Sequence, residues 1–217
     1  RLMMRYAITK NAVILSLFAI GTAAALAITN ALTIDQVQCN RQQALMTSLN
    51  EVMPHDQHDN DLLADRVTRR DPLLGRSEHH IYRARLNGQP NGAVLEATAP
   101  DGYGGNIAVI IGINNSGTVQ GVRVVPPHNE TPGLGDNIET KKSDWIYGFN
   151  GRSLENPQAS GWAVKKDGGE FDSFTGATIT PRAVVGAVYR ALQYFDANRE
   201  QLFAADAEAV AAEVCDE

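Results

Sequence analysis

The sequence is poor in the residue types that several classes of functional protein require. Only 6% of its 217 residues are aromatic, and its two cysteines, Cys39 and Cys215, do not form a CxxC pair. Zinc sites and iron–sulfur clusters need several ligands at short spacing, so this chain alone builds neither. The formal net charge of −6 lacks the excess of Lys and Arg that binds a phosphate backbone, which argues against nucleic acid as a partner. The chain also has no GxGxxG fingerprint and no internal repeat.

The longest segment without charge lies near the N-terminus. Asn11 to Ile34 reads NAVILSLFAIGTAAALAITNALTI, with Arg1, Arg5 and Lys10 before it and Asp35 after it. A helix of this length spans roughly 36 Å, enough to cross a hydrocarbon core of about 30 Å. Because basic flanks stay in the cytoplasm, we expect residues 1–35 to form a cytoplasmic flank and a transmembrane anchor, with the remaining chain exported.

A cleaved signal peptide is the alternative interpretation of the same segment. Its apolar core would run from Ala12 to Ile20, with small-residue cleavage sites around Ala24. Either interpretation exports the rest of the chain to an oxidising compartment. Cys39 and Cys215 are therefore candidates for a disulfide, with two free thiols as the alternative.

Residues 36–80 are predicted to be a helical and loop linker region. The stretch from Asp35 to Met53 has spaced apolar positions typical of an amphipathic helix that continues from the anchor. The polar stretch PHDQHDNDLLADRVTRRDP follows with little periodicity, and we expect it to be mostly solvated loop. Four histidines in this region have no spacing that favours a metal site, so surface positions are expected for His55, His58, His79 and His80.

Two hairpin patterns predict an antiparallel sheet. The first turns near Asn87-Gly88 or Asn91-Gly92, and the second turns at Asn115-Ser116-Gly117; these residues tolerate the positive φ that such turns require. Alternation in the second hairpin supplies a buried face, from the side chains of Ile107, Val109, Ile111 and Ile113.

The C-terminal half combines short elements with one strong helix signal. A short helix is expected around Lys142 to Phe149 and a strand near Trp162 to Lys165, with both tryptophans in the core. A helix is expected from Pro181 onward, with Thr180 as its N-cap. The fold class is therefore α+β, an antiparallel sheet with flanking helices, preceded by one N-terminal transmembrane helix.

The segment that precedes this helix carries the chemistry. DSFTGATITP, from Asp172 to Pro181, places three hydroxyls of threonine and two small residues ahead of a helix N-terminus. Such an end offers unpaired N–H groups and a partial positive charge, which suit a phosphate. The alternative is that Thr178 and Thr180 are ordinary helix caps, and the spacing alone leaves both interpretations open.

The string DSFTGATIT resembles a known flavin attachment motif. It is similar to the motif of two FMN-binding domains, one in the G subunit of the Rnf electron transport complex and one in the C subunit of the sodium-pumping NADH:quinone reductase. Three longer strings resemble the Rnf protein specifically, and they are APDGYGG at 99–105, HNETPGLGD at 128–136 and WAVKKDGGEFDSFTGATITPRAVV at 162–185. The resemblance covers almost the whole chain.

The resemblance implies an electron carrier with a covalent cofactor and no catalytic residue of its own. FMN would be bonded through its phosphate to Thr178 in a periplasmic FMN-binding domain at residues 81–217, with the chain in the bacterial inner membrane. The implied partners are the other Rnf subunits A, B, C, D and E and a periplasmic flavin transferase that uses FAD and magnesium. Asp172 and Gly176 would serve recognition by that transferase.

The remaining candidate contacts to FMN lie in two loops. Leu134 is expected to pack on the flavin ring, and the neighbouring glycines permit close backbone approach. A tight turn needed only for the fold is the alternative for this loop, and a solvated strand end is the alternative for Lys166. No metal ligand is expected. The candidate set is Thr175, Gly176, Ala177, Glu130, Thr131, Leu134, Gly135 and Lys166.

Two other functions remain open. The same chemistry in the C subunit of the sodium-pumping reductase is the nearest rival, although the TGATITPRAVV continuation favours Rnf. A membrane-anchored scaffold without redox activity is the rival from another class, and it predicts a colourless protein. A hydrolase that uses Ser173 or Thr178 as nucleophile lacks a positioned base.

Overall fold

The chain opens with one long helix, α1, at Leu2–Val52. The computed structural model describes the backbone of residues 2–208 and the side chains from residue 8 onward. Along the uncharged stretch of α1, Leu15, Phe18, Leu26 and Leu32 are between 68% and 79% exposed. A surface this apolar is unfavourable in water, and the helix is long and apolar enough to cross a membrane. The predicted continuation of the anchor into a helix is confirmed.

A five-stranded antiparallel meander follows, within a compact unit that begins at Met46. The first predicted hairpin turns at Asn87-Gly88, where φ is +52° and +74°, and not at Asn91-Gly92. Each strand pairs with the next in sequence, in the order β1-β2-β3-β4-β5. The strands are β1 at Arg66–Arg69, β2 at His79–Leu86, β3 at Gln89–Gly102, β4 at Gly105–Asn114 and β5 at Val119–Val125.

One face of the sheet packs against the second long helix, α2, at Ile179–Ala204. The predicted alternation in β4 is confirmed, because Ile107, Val109, Ile111 and Ile113 are all buried in the same cluster as the apolar stripe of α2. Alternate residues of β3 join them. The main core of the domain therefore lies between β3, β4 and α2.

The opposite face receives the C-terminal end of α1. Leu49 and Val52 are fully buried there. A Cβ atom on Gly112 of β4 would lie 2.0 Å from the carbonyl oxygen of Val52, and Gly112 pairs with Gly121 of β5. The paired glycines thus create the flat spot on which the end of α1 rests.

The predicted linker at 36–80 differs from the structure, because much of it belongs to the compact unit. Residues 66–69 form β1, and the preceding Asp65 forms ion pairs with Arg83 and Arg85 of β2. Arg83 is only 2% exposed and donates from Nη1 to the carbonyl oxygen of Leu202 at 2.8 Å. The charges of this region were interpreted as a solvated surface, whereas several of them are paired across the fold.

Three local predictions in the C-terminal half need correction. A 3-10 turn at Trp145–Phe149 stands in place of the expected helix, and the expected strand at 162–165 is reduced to a single bridge between Val164 and Phe171. Helix α2 begins two residues earlier than expected, so Thr178 and not Thr180 is the N-cap position. Cys215 lies outside the described residues, and its pairing with Cys39 stays a prediction.

Candidate functional site

The segment ahead of α2 is shaped by a tight turn. The N–H of Ala177 donates to the carbonyl oxygen of Phe174 at 3.1 Å, and Gly176 has a φ of +81°. A positive φ at the third residue of such a turn favours glycine over any residue with a side chain. The turn therefore delivers Thr178 to the helix N-terminus.

Thr178 holds the N-cap position of α2 without using its side chain as a cap. The residue is half-buried and its hydroxyl makes no capping hydrogen bond. The first N–H groups of any helix lack partners within the helix, so positive partial charge surrounds this hydroxyl. Thr178 is therefore not an ordinary cap, and its hydroxyl remains available for chemistry.

The loop at 130–135 closes on itself beside this helix start. The carbonyl oxygen of Thr131 accepts from the N–H groups of Leu134, at 3.1 Å, and Gly135, at 2.9 Å. Leu134 projects outward and is 41% exposed. The loop is thus rigid in its backbone and presents an apolar side chain at the surface.

Glu130 joins three separate segments at this point. Its carboxylate accepts the N–H of Gly104 at 2.9 Å and the hydroxyl of Thr180, and the residue is 5% exposed. Gly104 lies in the turn between β3 and β4, where a Cβ atom would lie 1.9 Å from the carbonyl oxygen of Asn129. Glu130 therefore holds the β3–β4 turn, its own loop and the start of α2 together.

These three segments enclose a cavity of about 220 Å³. Thr178 stands in its wall between residues of the turn and the first turn of α2. Exposed apolar side chains from all three segments surround it, since Tyr103 is 69%, Leu134 41% and Ile179 46% exposed. The lining residues are Tyr103, Thr131, Leu134, Gly135, Gly176, Ala177, Thr178, Ile179 and Thr180.

The loop after residue 164 is tied to the same region by ion pairs. Arg182, in the first turn of α2, donates to Asp167 at 2.6 Å and holds the pKa of that carboxyl below its usual range. Lys165 pairs with Asp172 at 2.7 Å. The indole N–H of Trp145 donates to the backbone oxygen of Asp172 at 2.8 Å, which fixes the beginning of the motif while its carboxylate stays exposed.

Comparison with known proteins identifies the domains that carry this geometry. Residues 102–193 match the FMN-binding domain, and residues 3–52 match the RnfG N-terminal region. The G subunit of the ion-translocating oxidoreductase complex of Pseudoalteromonas atlantica is 50% identical over 207 residues, which cover 94% of this chain and 96% of that protein. The chain belongs to the RnfG family.

Two further comparisons describe how far the similarity extends. The corresponding RnfG relative from Pseudomonas aeruginosa is 48% identical over 202 residues, covering 92% of this chain and 94% of that protein. The crystal structure of NqrC from Shewanella oneidensis is similar with a TM-score of 0.46 and 21% identity, covering 68% of this chain and 76% of that chain.

The structure brings together most, but not all, of the residues expected to contact FMN in this member of the RnfG family. The residues from the TGAT turn and the 130–135 loop meet at the cavity, apart from two. Thr175 is exposed in the turn, and Glu130 is buried behind the wall with both oxygens occupied. Lys166 and Asp172 are exposed on the loop that precedes the motif.

Sequence reasoning missed three lining residues. Tyr103 lies in the APDGYGG string, which was noted only as a resemblance, and no local pattern connects it with Thr178. Ile179 and Thr180 were read as ordinary residues of the helix start. Thr180 in fact turns its hydroxyl away from its own helix to Glu130.

The histidines divide differently from the expectation that all are on the surface. His58 and His79 are 6% and 4% exposed. His58 Nδ1 lies 3.0 Å from the backbone oxygen of Asn60, and His79 Nε2 lies 2.9 Å from Thr98 Oγ1. Among the described residues, no group of His, Cys, Asp and Glu has the geometry to hold a metal ion. Trp162 is 6% exposed and Trp145 packs against the core, as predicted.

Proposed function

We propose that this protein is the electron-carrying subunit of an ion-translocating oxidoreductase complex, with FMN bonded through its phosphate to Thr178. The observation that carries the proposal is the Thr178 hydroxyl, which stands uncapped in a cavity wall at a helix N-terminus, inside the match to the FMN-binding domain. Relatives of nearly the same length are named as subunits of such a complex, which supports the assembly with further subunits, A, B, C, D and E.

The residues present fit FMN. The helix N-terminus favours a phosphate, and the Thr178 hydroxyl supplies the oxygen of a phosphoester. The cavity of about 220 Å³ is smaller than the range of about 300–1,000 Å³ of enclosed small-molecule sites, so it suits one end of the cofactor. The exposed side chains of Leu134, Tyr103 and Ile179 offer apolar surface for the remainder. Bound FMN supplies a redox-active ring, and the protein supplies its attachment, orientation and electrostatics.

Attachment requires only that the chain present a nucleophilic oxygen. Thr178 Oγ forms a bond to the phosphorus of the FMN half of FAD, the pyrophosphate bond breaks and AMP leaves. The hydroxyl proton passes to a base of a separate flavin transferase, because the wall around Thr178 contains no carboxylate or imidazole. Asp172 and Gly176 serve recognition by this enzyme, and the exposure of both is consistent with that role.

Helix α1 tethers the domain to the inner membrane. Lys10 precedes the uncharged stretch and Asp35 follows it, so the N-terminus stays in the cytoplasm and the FMN-binding domain is periplasmic. A covalent bond then has a clear advantage, because a cofactor lost by dissociation outside the cytoplasm is not replaced. Protease added to spheroplasts is expected to digest the domain.

Thr178→Ala is the direct test of attachment. The wild-type chain, made together with its flavin transferase, is expected to fluoresce in a denaturing gel and to exceed its sequence mass by FMN less one water. Thr178→Ala is expected to lose both signals because the accepting oxygen is gone. Folding survives, because this hydroxyl makes no capping bond and even a true cap typically contributes only about 0.5–2 kcal/mol.

Thr175→Ala is the matched control, since Thr175 is an exposed threonine of the same turn. It is expected to keep the fluorescence and the added mass. Thr180→Ala is less suitable, because its hydroxyl donates to buried Glu130. A fluorescent Thr178→Ala chain would show that the attachment site is wrong. A wild-type chain that stays unmodified beside its transferase would support the colourless scaffold instead.

A further inference from the structure

A second cleft lies on the same side of the domain as α2, and it is lined by arginines. Its volume is about 560 Å³, which falls within the range of about 300–1,000 Å³ typical of small-molecule sites. Arg70 and Arg76 come from the segment between β1 and β2, and Arg190 comes from α2. The other lining residues are Pro72, Gly75, Thr98, Pro100 and Asp101.

The three arginines differ from the other arginines of the domain. Between Met46 and Glu208, the guanidinium groups of Arg70, Arg76 and Arg190 have no hydrogen-bond or ion-pair partner, although all three line one cleft. Each of the other arginines in this part of the chain has a partner, and these are Arg66, Arg69, Arg83, Arg85, Arg123, Arg152, Arg182 and Arg199. Unpaired positive charge is therefore concentrated at this place.

The cleft is built on a rigid frame. The turn between Arg70 and Arg76 is closed by the Asp71 carboxylate, which accepts the N–H of Leu73 at 2.8 Å. The N–H of Thr98 in β3 donates to the carbonyl oxygen of Leu74 at 2.7 Å, which fixes the turn to the sheet. Two arginines thus flank a turn that cannot move freely, and the third faces them from a helix packed on the same strand.

The chemistry of the lining selects a class of ligand. Guanidinium forks bind phosphate oxygens with paired, charge-assisted hydrogen bonds. The volume exceeds what a bare phosphate needs, and the prolines at positions 72 and 100 offer apolar surface to an organic group. The carboxylate of Asp101 suits a hydroxyl donor on that group. We propose that the cleft bounded by Arg70, Arg76 and Arg190 binds a phosphate ester that carries a hydroxylated organic moiety.

The cleft is also connected to the flavin attachment site. A smaller groove shares Asp101 and Arg190 with the cleft and shares Ile179 with the cavity at Thr178. A ligand in the cleft therefore lies at the end of a continuous depression along α2 that begins beside Thr178.

Calorimetric titration of the full chain in detergent micelles tests the cleft. The Thr178→Ala chain is used as the parent, so that the result does not depend on flavin attachment. AMP is the soluble probe, and dihexanoyl phosphatidylglycerol below its micelle concentration is the lipid probe, with dihexanoyl phosphatidylcholine as the probe without net charge. We expect one or both anionic probes to bind at low salt, and their relative affinities identify the source of the ester.

Charge removal in the cleft provides the decisive comparison. Arg76→Gln with Arg190→Gln is expected to weaken binding at least about tenfold, because two charge-assisted contacts are lost. Arg199→Gln removes the same charge from α2 at a pair with Asp196 and is expected to leave the affinity unchanged. Arg70→Gln alone, at an exposed side chain without bonds, keeps the test valid should the double variant be unstable. Absence of binding by both anionic probes, equal loss in Arg199→Gln, or tighter binding of a glutamate octapeptide would overturn the proposal.

Discussion

Glu130 is the residue whose replacement most directly tests how the site is held together. Its carboxylate is buried and accepts hydrogen bonds from the N–H of Gly104 and the hydroxyl of Thr180. Hydrogen bonds to a charged group contribute about 1.5–3 kcal/mol each, and Glu130→Ala leaves both buried donors without a partner. We expect Glu130→Ala to lower the free energy of unfolding by about 3–5 kcal/mol. Glu130→Gln keeps one accepting oxygen and is expected to cost about 1–2 kcal/mol.

Denaturant titration of the full chain in detergent, followed by tryptophan fluorescence, measures this effect. Trp145 and Trp162 both pack in the domain that Glu130 stabilises, so their emission reports its unfolding. Glu139→Gln is the matched control, because Glu139 accepts from His128 in the same region but is 33% exposed. Its cost is expected to stay below about 1 kcal/mol.

The two roles of Glu130 give different results. A residue that positions the loop lowers both the unfolding free energy and the extent of flavin attachment when it is changed. A direct contact to the flavin ring, as the sequence suggested, would shift the flavin absorption in Glu130→Gln while leaving stability unchanged. A loss below about 1 kcal/mol in Glu130→Ala would refute the argument that this carboxylate joins the three segments.

Two further predictions follow from buried ionisable groups. Asp65→Ala leaves the buried Arg83 without its carboxylate and is expected to lower the unfolding free energy by about 3–5 kcal/mol, against a change within about 0.5 kcal/mol for the exposed Asp196→Ala; equal costs would contradict this. Burial lowers the pKa of His79 from 6.5, so the unfolded chain takes up a proton that the folded chain resists. The unfolding free energy should therefore be complete above pH 6.5 and fall as the pH falls toward the folded pKa, and His79→Asn should show a smaller fall between about pH 7.5 and pH 5.5.

Much of the architecture follows from local sequence patterns. Alternation in β4 specified which side chains are buried, because neighbouring strand residues point to opposite faces. Asn87-Gly88 specified a hairpin turn, since both residues tolerate a positive φ. The uncharged run in α1 indicated a helix of membrane length. The TGAT motif identified Thr178 as the residue of interest through its resemblance to a family, while physics alone left a helix cap open.

The tertiary structure decided how distant groups are paired. Glu130 meets Gly104 and Thr180, which are 26 and 50 positions away, and Asp65 meets Arg83 at a separation of 18. No periodic pattern encodes such contacts, because a carboxylate in a polar segment has the same sequence signature whether it is solvated or buried with a partner. The unpaired arginines at 70, 76 and 190 show the converse, since the packing of α2 on β3 brings three ordinary charges to one cleft. Local pattern thus reports the face of an element, and only packing determines which polar groups are removed from water and must find each other.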